Sequence, residues 1–295
     1  MNTMTIATNN TMTLQNVSGA TNDQTLIDLF LQSKRSANTK EAYQRDLNIF
    51  NSYGVSIQAS TLKTMLDFAD DISDSEMSVA TQRRVLSTVK SLFSFAHKVG
   101  YVTFNVAVAV NLPTIEDTLT EKLLTEKEVK QLIASATNDR DRAMLVTLYV
   151  TGMRVSELCE LEWRNVNTET QTISFLSAKG KKTIVQRVTA EIFWNALSAI
   201  KPIGVAQTAK AFTSRDENSI TRQGVHSIVA QCAKLAGITK AVSPHWLRHA
   251  KASHSLSNGC SIALVSRDLG HSSVAITSRY LHALPTESSA DFLNI

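Results

Sequence analysis

The chain has few cysteines, no long apolar run and no basic leader, and each absence narrows what it can be. Its 295 residues hold three cysteines, Cys159, Cys232 and Cys260, far apart and odd in number. They form no C-x-x-C pair, so a reduced cytoplasmic compartment is the expectation. No apolar stretch approaches the roughly 18–20 residues that a bilayer-crossing helix needs, and no membrane contact is expected. The first twenty residues contain neither Lys nor Arg and no apolar core segment, which excludes a signal peptide pattern. Their Thr- and Asn-rich composition predicts a disordered tail over 1–22. There is no internal repeat.

What remains is a chain long enough for two ordinary domains, with an ordinary hydrophobic content of 43%. The net charge is only +4, but it is unevenly spread. Residues 1–118 carry 9 Lys and Arg against 11 Asp and Glu, a balance of −2, and the rest carries 21 against 15, a balance of +6. A basic C-terminal part facing a polyanion is consistent with that asymmetry. Much of the early acidity lies in DFADDISDSE (67–76), which reads as a solvated loop.

The pattern of apolar residues predicts a mainly α protein with a small β-hairpin or sheet. SANTKEAYQRDLNIF (36–50) offers Asn38 as a cap, followed by Tyr43, Leu47 and Phe50 at helical spacing. TQRRVLSTVKSLFSFAHKVG (81–100) is the clearest helix: Val85, Leu86, Val89, Leu92, Phe93 and Ala96 form its buried stripe and Gly100 ends it. Arg83, Arg84 and Lys90 lie on or beside the opposite face, as a solvated surface or as a helix touching phosphates. Near Pro113 the pattern breaks and turns polar, suggesting an interdomain linker over 112–122. The expected organisation is therefore a helical unit over 23–111, the linker, and an α+β unit over 123–295. Thr125 with Glu128 makes a capping box that starts the second unit. TISFL and TIVQRV alternate and flank AKGKK, a hairpin with a basic tip.

Four short segments carry chemistry. In LGHSSVAITSRYLH (269–282), His271 precedes Tyr280 by nine residues. On one helix that is roughly 900° of rotation, which puts the side chains on opposite faces. They converge only if Ser272 and Ser273 make a turn and a helix starts near Val274. In SPHWLRHAKASH (243–254), Ser243 and Pro244 open a helix, and His245, Arg248 and His249 share one face. The two histidines have the spacing of a zinc-protease helix, but Trp246 stands where the glutamate base belongs and Arg248 sets a fixed cation beside any metal. In YVTGMRVSELCELEW (149–163), Gly152 interrupts a helix, and Arg154 precedes Glu157 by three, an ion pair worth a few tenths of a kcal/mol if it is exposed. The fourth is the hairpin tip, with Lys179, Lys181 and Lys182.

Two arginines, a lysine and two histidines suit a dianionic transition state. Arginine's planar fork holds two non-bridging phosphate oxygens and keeps its proton. A tyrosine nucleophile is only ~0.1% ionised at pH 7, so nearby cations and a base must activate it, and the leaving oxygen needs a general acid.

In their order along the chain, these segments resemble the tyrosine recombinases, the phage-integrase family that includes the Xer proteins and Cre. TGMRVSEL is similar to the motif of the family's first arginine. The resemblance makes Arg154 a catalytic arginine with Glu157 supporting it, and AKGKK maps the catalytic lysine to Lys179. HWLRH gives His245 and Arg248, and LGHSSVAITSRY gives His271 and the nucleophile Tyr280. Upstream, NTKEAYQRDLNIF and SVATQRRVLSTVKSLFSFA resemble the all-helical core-binding (SAM-like) domain, so the likeness spans roughly residues 24–285. The hairpin departs at Ala178 and Ile184, where glycine and arginine are common in the family, and this leaves Lys181 and Lys182 as alternative general acids.

The resemblance implies a two-domain DNA clamp that cuts and rejoins strands through a 3′-phosphotyrosine. It implies no metal, ATP or other cofactor. It further implies DNA contacts from Lys40, Arg83, Arg84, Lys90, Lys181 and Lys182, a homotetramer on two double-stranded DNA sites, accessory DNA-bending proteins, and a cytoplasmic, nucleoid-associated location. The alternatives are a type IB topoisomerase, which uses similar residues on one duplex, a DNA-binding protein that has lost catalysis, and the zinc hydrolase discounted above.

Overall fold

The computed structural model describes residues 16–282, except 117, 178–181, 215 and 217. The chain divides into two compact units, Met1–Glu116 and Asp117–Ile295.

The first unit is built from α1 (Asp23–Gln32), α2 (Ala37–Ser52), α3 (Leu62–Asp74) and α4 (Val79–Lys98). Helix α4 packs on the other three, and its expected stripe from Val85 to Ala96 is buried. Aromatic rings fill the centre, with Phe50 edge-on to Phe68 and Phe93 at centroid distances of 5.1 and 5.8 Å. Gly100 ends α4 in the left-handed region at φ 71°.

Two local expectations are corrected. The cap of α2 is Ser36, and Asn38 lies inside the helix. The acidic stretch 67–76 is mostly helix, not loop. Met65, Phe68 and Ile72 are buried at helical spacing, Thr61 supplies a capping box, and the acids occupy the outer face.

On α4, Arg83, Arg84 and Lys90 each have a protein partner. Arg84 pairs with the fully buried Asp46 of α2, whose other oxygen accepts from Thr88 at 2.8 Å. Arg83 donates to the Pro113 carbonyl, and Lys90 donates to the carbonyls of Val108 and Val110. The face expected to be solvated or phosphate-bound thus also clasps residues 108–113 to α4.

The second unit contains α5 (Glu126–Ala134), α6 (Asp139–Thr151), α7 (Val155–Cys159), strands β1 (Val166–Asn167), β2 (Thr172–Leu176) and β3 (Thr183–Arg187), then α8 (Glu191–Ile200), α9 (Arg222–Leu235), α10 (Pro244–Ser257), α11 (Ile262–Leu269) and α12 (Val274–His282). Beyond its charged first turn, residues 139–142, helix α6 is buried on nearly every side and forms the centre, packed by α8, α10 and α5. The Thr125–Glu128 capping box opens α5 as expected. The sheet is antiparallel in the order β1-β2-β3, with Ile173 opposite Gln186 and Phe175 opposite Ile184. Along β3 the inward positions are Ile184 and Gln186, so one polar side chain points into the core. Cys159 and Cys232 are buried, and Cys260 at the start of α11 is half-buried. Among the described residues no helix is long and apolar enough to cross a membrane.

Candidate active site

Two helices end at glycines, and each glycine turn delivers a candidate residue. Helix α6 stops at Gly152 (φ 64°) and Arg154 follows. Helix α11 stops at Gly270 (φ 60°) and His271 follows. A left-handed turn costs a residue with a side chain about 1–2 kcal/mol. Space adds to that preference: a Cβ at Gly270 would stand 2.5 Å from Ile184 Cδ1, and one at Gly152 would stand 2.6 Å from Leu269 Cδ2.

Arg154 caps α7. Its guanidinium meets Glu157 Oε1 at 2.9 Å, and its backbone N–H donates to Oε2 at 2.7 Å. The Glu157 side chain is only 1% exposed, so this is a buried orienting pair rather than a surface one. On α10, Arg248 is also buried and donates to the carbonyls of Gly152, the cap of α6, and Leu269, the last residue of α11. The turn between His271 and Tyr280 forms as the sequence requires. Ser273 Oγ accepts from the Ala275 N–H, and α12 runs from Val274. His271 Nδ1 shares a 2.7 Å hydrogen bond with Thr277, a fully buried residue of α12. That bond fixes the orientation of the imidazole.

The Tyr280 hydroxyl and His249 Nδ1 share a hydrogen bond of 2.8 Å. His249 is the residue the sequence reading left without a role. Its signal was present, since it lies four residues after His245 on the same helical face. The two rings stand 6.5 Å apart, and His249's Nδ1 faces Tyr280 rather than His245. Among the described residues no group of three His, Cys, Asp or Glu is placed to hold a metal ion.

Arg154, His245, Arg248, His271 and Tyr280 line one cavity of about 760 Å³, together with Lys182 and His249. Arg267 and Arg279, which the sequence reading did not single out, line it as well, and none of its described lining residues is acidic. Lys179 and Lys181 lie outside the described residues. Lys182 is exposed beside the cavity, and Lys40 is half-buried on α2 in the first unit.

Burial governs the proton affinities here. It lowers Arg248 to about 10, helped by Arg154 and opposed by Glu157 and Tyr280, so the guanidinium stays charged at neutral pH. Burial pushes the Tyr280 phenol up and outweighs the downward pull of Arg248 and Arg279, so the phenol rests protonated at neutral pH. His249 falls to about 4, through burial first and then through His245, Arg248, Arg279 and Lys122.

Because the unfolded imidazole titrates near 6.5, the unfolded chain binds the extra proton between about pH 6.5 and 4. This contribution to stability is fully present above pH 6.5 and is lost as pH falls through that window. Thermal melts from pH 7 to 4.5 are expected to fall more steeply for the wild type than for His249→Gln. Parallel curves would remove His249 as the source.

A buried Arg248 and a half-buried Arg154 beside a histidine-bound tyrosine, in a cavity lined by cations, suit a protein that acts on phosphate esters. Comparison with known proteins agrees. Residues 122–287 match the Phage integrase family, and residues 23–100 match the family described as Phage integrase, N-terminal SAM-like domain. Tyrosine recombinase XerD of Staphylococcus saprophyticus is 31% identical over 268 residues, covering 85% of this chain and 90% of that one. A lambda integrase (75–356) dimer bound to a COC′ core site superposes with TM-score 0.74 at 18% identity, over 90% of this chain and 97% of that one. A lambda integrase tetramer bound to a Holliday junction gives 0.71 at 19% identity, over 86% and 78%. The chain belongs to the phage integrase family. It is a tyrosine-type site-specific DNA recombinase, and the topoisomerase alternative finds no support among these relatives.

Proposed function

We propose that Tyr280 is the nucleophile that attacks a DNA phosphodiester, forming a 3′-phosphotyrosine and freeing a 5′-hydroxyl. Arg154, Arg248 and His271 take the non-bridging oxygens as charge builds on them, and Glu157 orients Arg154. Lys179 protonates the departing 5′-oxygen, with Lys181 and Lys182 as the alternatives on the same hairpin. The Tyr280 proton leaves through His245 and His249. His249 is a weak base before DNA enters, but an arriving phosphate sets a negative charge beside it and raises its proton affinity. A 5′-hydroxyl from a partner strand then reverses the attack, and the bond energy is kept in the phosphotyrosine.

The observation that carries this reading is the convergence of Arg154, His245, Arg248, His271 and Tyr280 on one cavity with no acidic lining among its described residues. Double-stranded DNA is the substrate, bound by the lysines and arginines of both units, with Lys40, Arg83, Arg84 and Lys90 contributing from the first. The protein works as a homotetramer on two sites, by analogy with the lambda integrase tetramer. It acts at the nucleoid in the cytoplasm, with accessory bending proteins where its site requires them.

The test is capture of covalent adducts. Cells expressing the protein are denatured rapidly in EDTA, and DNA attached to the protein is sequenced. Adducts at discrete sites are expected. Their absence under all conditions that express folded protein would overturn the catalytic reading.

A further inference from the structure

The C-terminal ends of α6 and α11 approach one another, and both expose carbonyls that no helical N–H can satisfy. Such ends carry partial negative charge and repel. Two side chains sit between them as donors. The Gln186 side-chain amide donates to Thr151 O at 3.0 Å and to Asp268 O at 2.7 Å. Arg248 donates to the next carbonyl on each side, Gly152 and Leu269. Consecutive residues of the two helix ends are thus bridged pairwise, first by an amide and then by a guanidinium.

The bridged ends lead directly into the two glycine turns. Arg154 stands two residues beyond Gly152, and His271 stands one beyond Gly270. The separation of the helix ends therefore sets the separation of two groups that share one phosphate. Arg248 cannot hold that spacing undisturbed, because its guanidinium is also addressed to the phosphate. Gln186 is 4% exposed and lies outside the cavity lining, so it keeps its bonds throughout. It also stands on β3, four residues after Lys182, which links the lysine hairpin to the same two turns.

We propose that Gln186 is a positioning residue that fixes Arg154, His271 and the lysine hairpin relative to one another. The inference rests on the recombinase reading of this site. It differs from a merely structural role in what it predicts: losing Gln186 costs rate more than it costs DNA affinity or stability.

Gln186→Leu keeps the volume and removes the donors. Gln186→Asn keeps the donors and shortens their reach by one methylene. Ile173→Val, directly across the sheet and fully buried, serves as a control that loosens the same hairpin. Each is compared with wild type on the duplex recovered from wild-type adducts, for affinity by gel shift and for single-turnover rate of adduct formation. For Gln186→Leu the rate is expected to fall roughly 10- to 100-fold, as small misplacements of reacting groups do, with affinity held within about twofold. Gln186→Asn should fall between, and it carries the test alone if the leucine variant does not fold. A Gln186 variant that cleaves as fast as Ile173→Val overturns the proposal.

If wild type captures no DNA, the recombinase reading fails first and the alignment is read in the free protein. Gln186→Leu should then shift the backbone amide resonances of both Arg154 and His271, and Ile173→Val should shift neither. Unmoved resonances in Gln186→Leu would overturn the proposal independently.

Discussion

Replacing Tyr280 with phenylalanine is expected to abolish covalent protein–DNA adducts while leaving a folded protein that still retains DNA. The change removes one oxygen and keeps the ring, which is 5% exposed and packed with Ala252, Val265 and Leu269. The structural loss is the hydrogen bond to His249 Nδ1, about 1 kcal/mol for a typical buried pair. The chemical loss is expected to be complete, because the change removes the oxygen that would form the phosphotyrosine. Thr277, three residues before Tyr280, is fully buried with its oxygen committed to the His271 imidazole. Adduct capture in the variant, with a thermal melt as control, checks this. Adducts that persist in Tyr280→Phe would place the nucleophile elsewhere and undo the assignment of α12.

Arg248 is expected to be the second most sensitive position, and it should fail in two separable ways. By comparison with other preorganised donors, its loss slows cleavage by about 10²–10³, or roughly 3–4 kcal/mol. Arg248→Gln also strips donors from the Gly152 and Leu269 carbonyls, each costing about 1–3 kcal/mol if left buried and unpaired. Removing a buried cation returns part of that, since burial already lowers its proton affinity to about 10. The net expectation is a modest fall in melting temperature and a large fall in rate. Arg248→Lys should resemble Arg248→Gln more than wild type, because a point charge on a flexible stem cannot span two carbonyls and a phosphate as a planar fork does. Single-turnover cleavage alongside thermal melts separates the two effects. A lysine variant with near wild-type rate would show that charge alone suffices.

Much of this architecture was legible because it depends on local pattern. The α4 stripe, the Thr125 capping box and the alternation of β2 and β3 are each fixed by residues within a few positions of one another. The turn between His271 and Tyr280 was legible for the same reason. Where reading failed, a long-range partner or a misleading composition decided the outcome. Asp67, Asp70, Asp71 and Asp74 suggested a loop, yet Met65, Phe68 and Ile72 give that stretch a helical core face. The α4 cations looked free because Asp46 lies 38 residues from Arg84, and the carbonyls of residues 108–113 leave no trace in sequence. Glu157 looked like a surface partner because spacing reveals the pair and not its burial. Gln186 carried a readable signal, a polar residue on the inward side of a strand, but its two acceptors come from helices 35 and 82 residues away.

The distribution of the cysteines has a practical consequence for spectroscopy. Burial, aided by Glu160 beside Cys159 and by Asp141 beside Cys232, pushes both of those thiols up and leaves them poor nucleophiles inside the fold. Cys260, half-buried at the head of α11, is the thiol a maleimide dye reaches first. A fluorophore can therefore be attached to the native chain with no cysteine replaced. It would sit at one end of the helix whose other end carries Gly270 and His271, and so report on the environment of that turn when DNA is added.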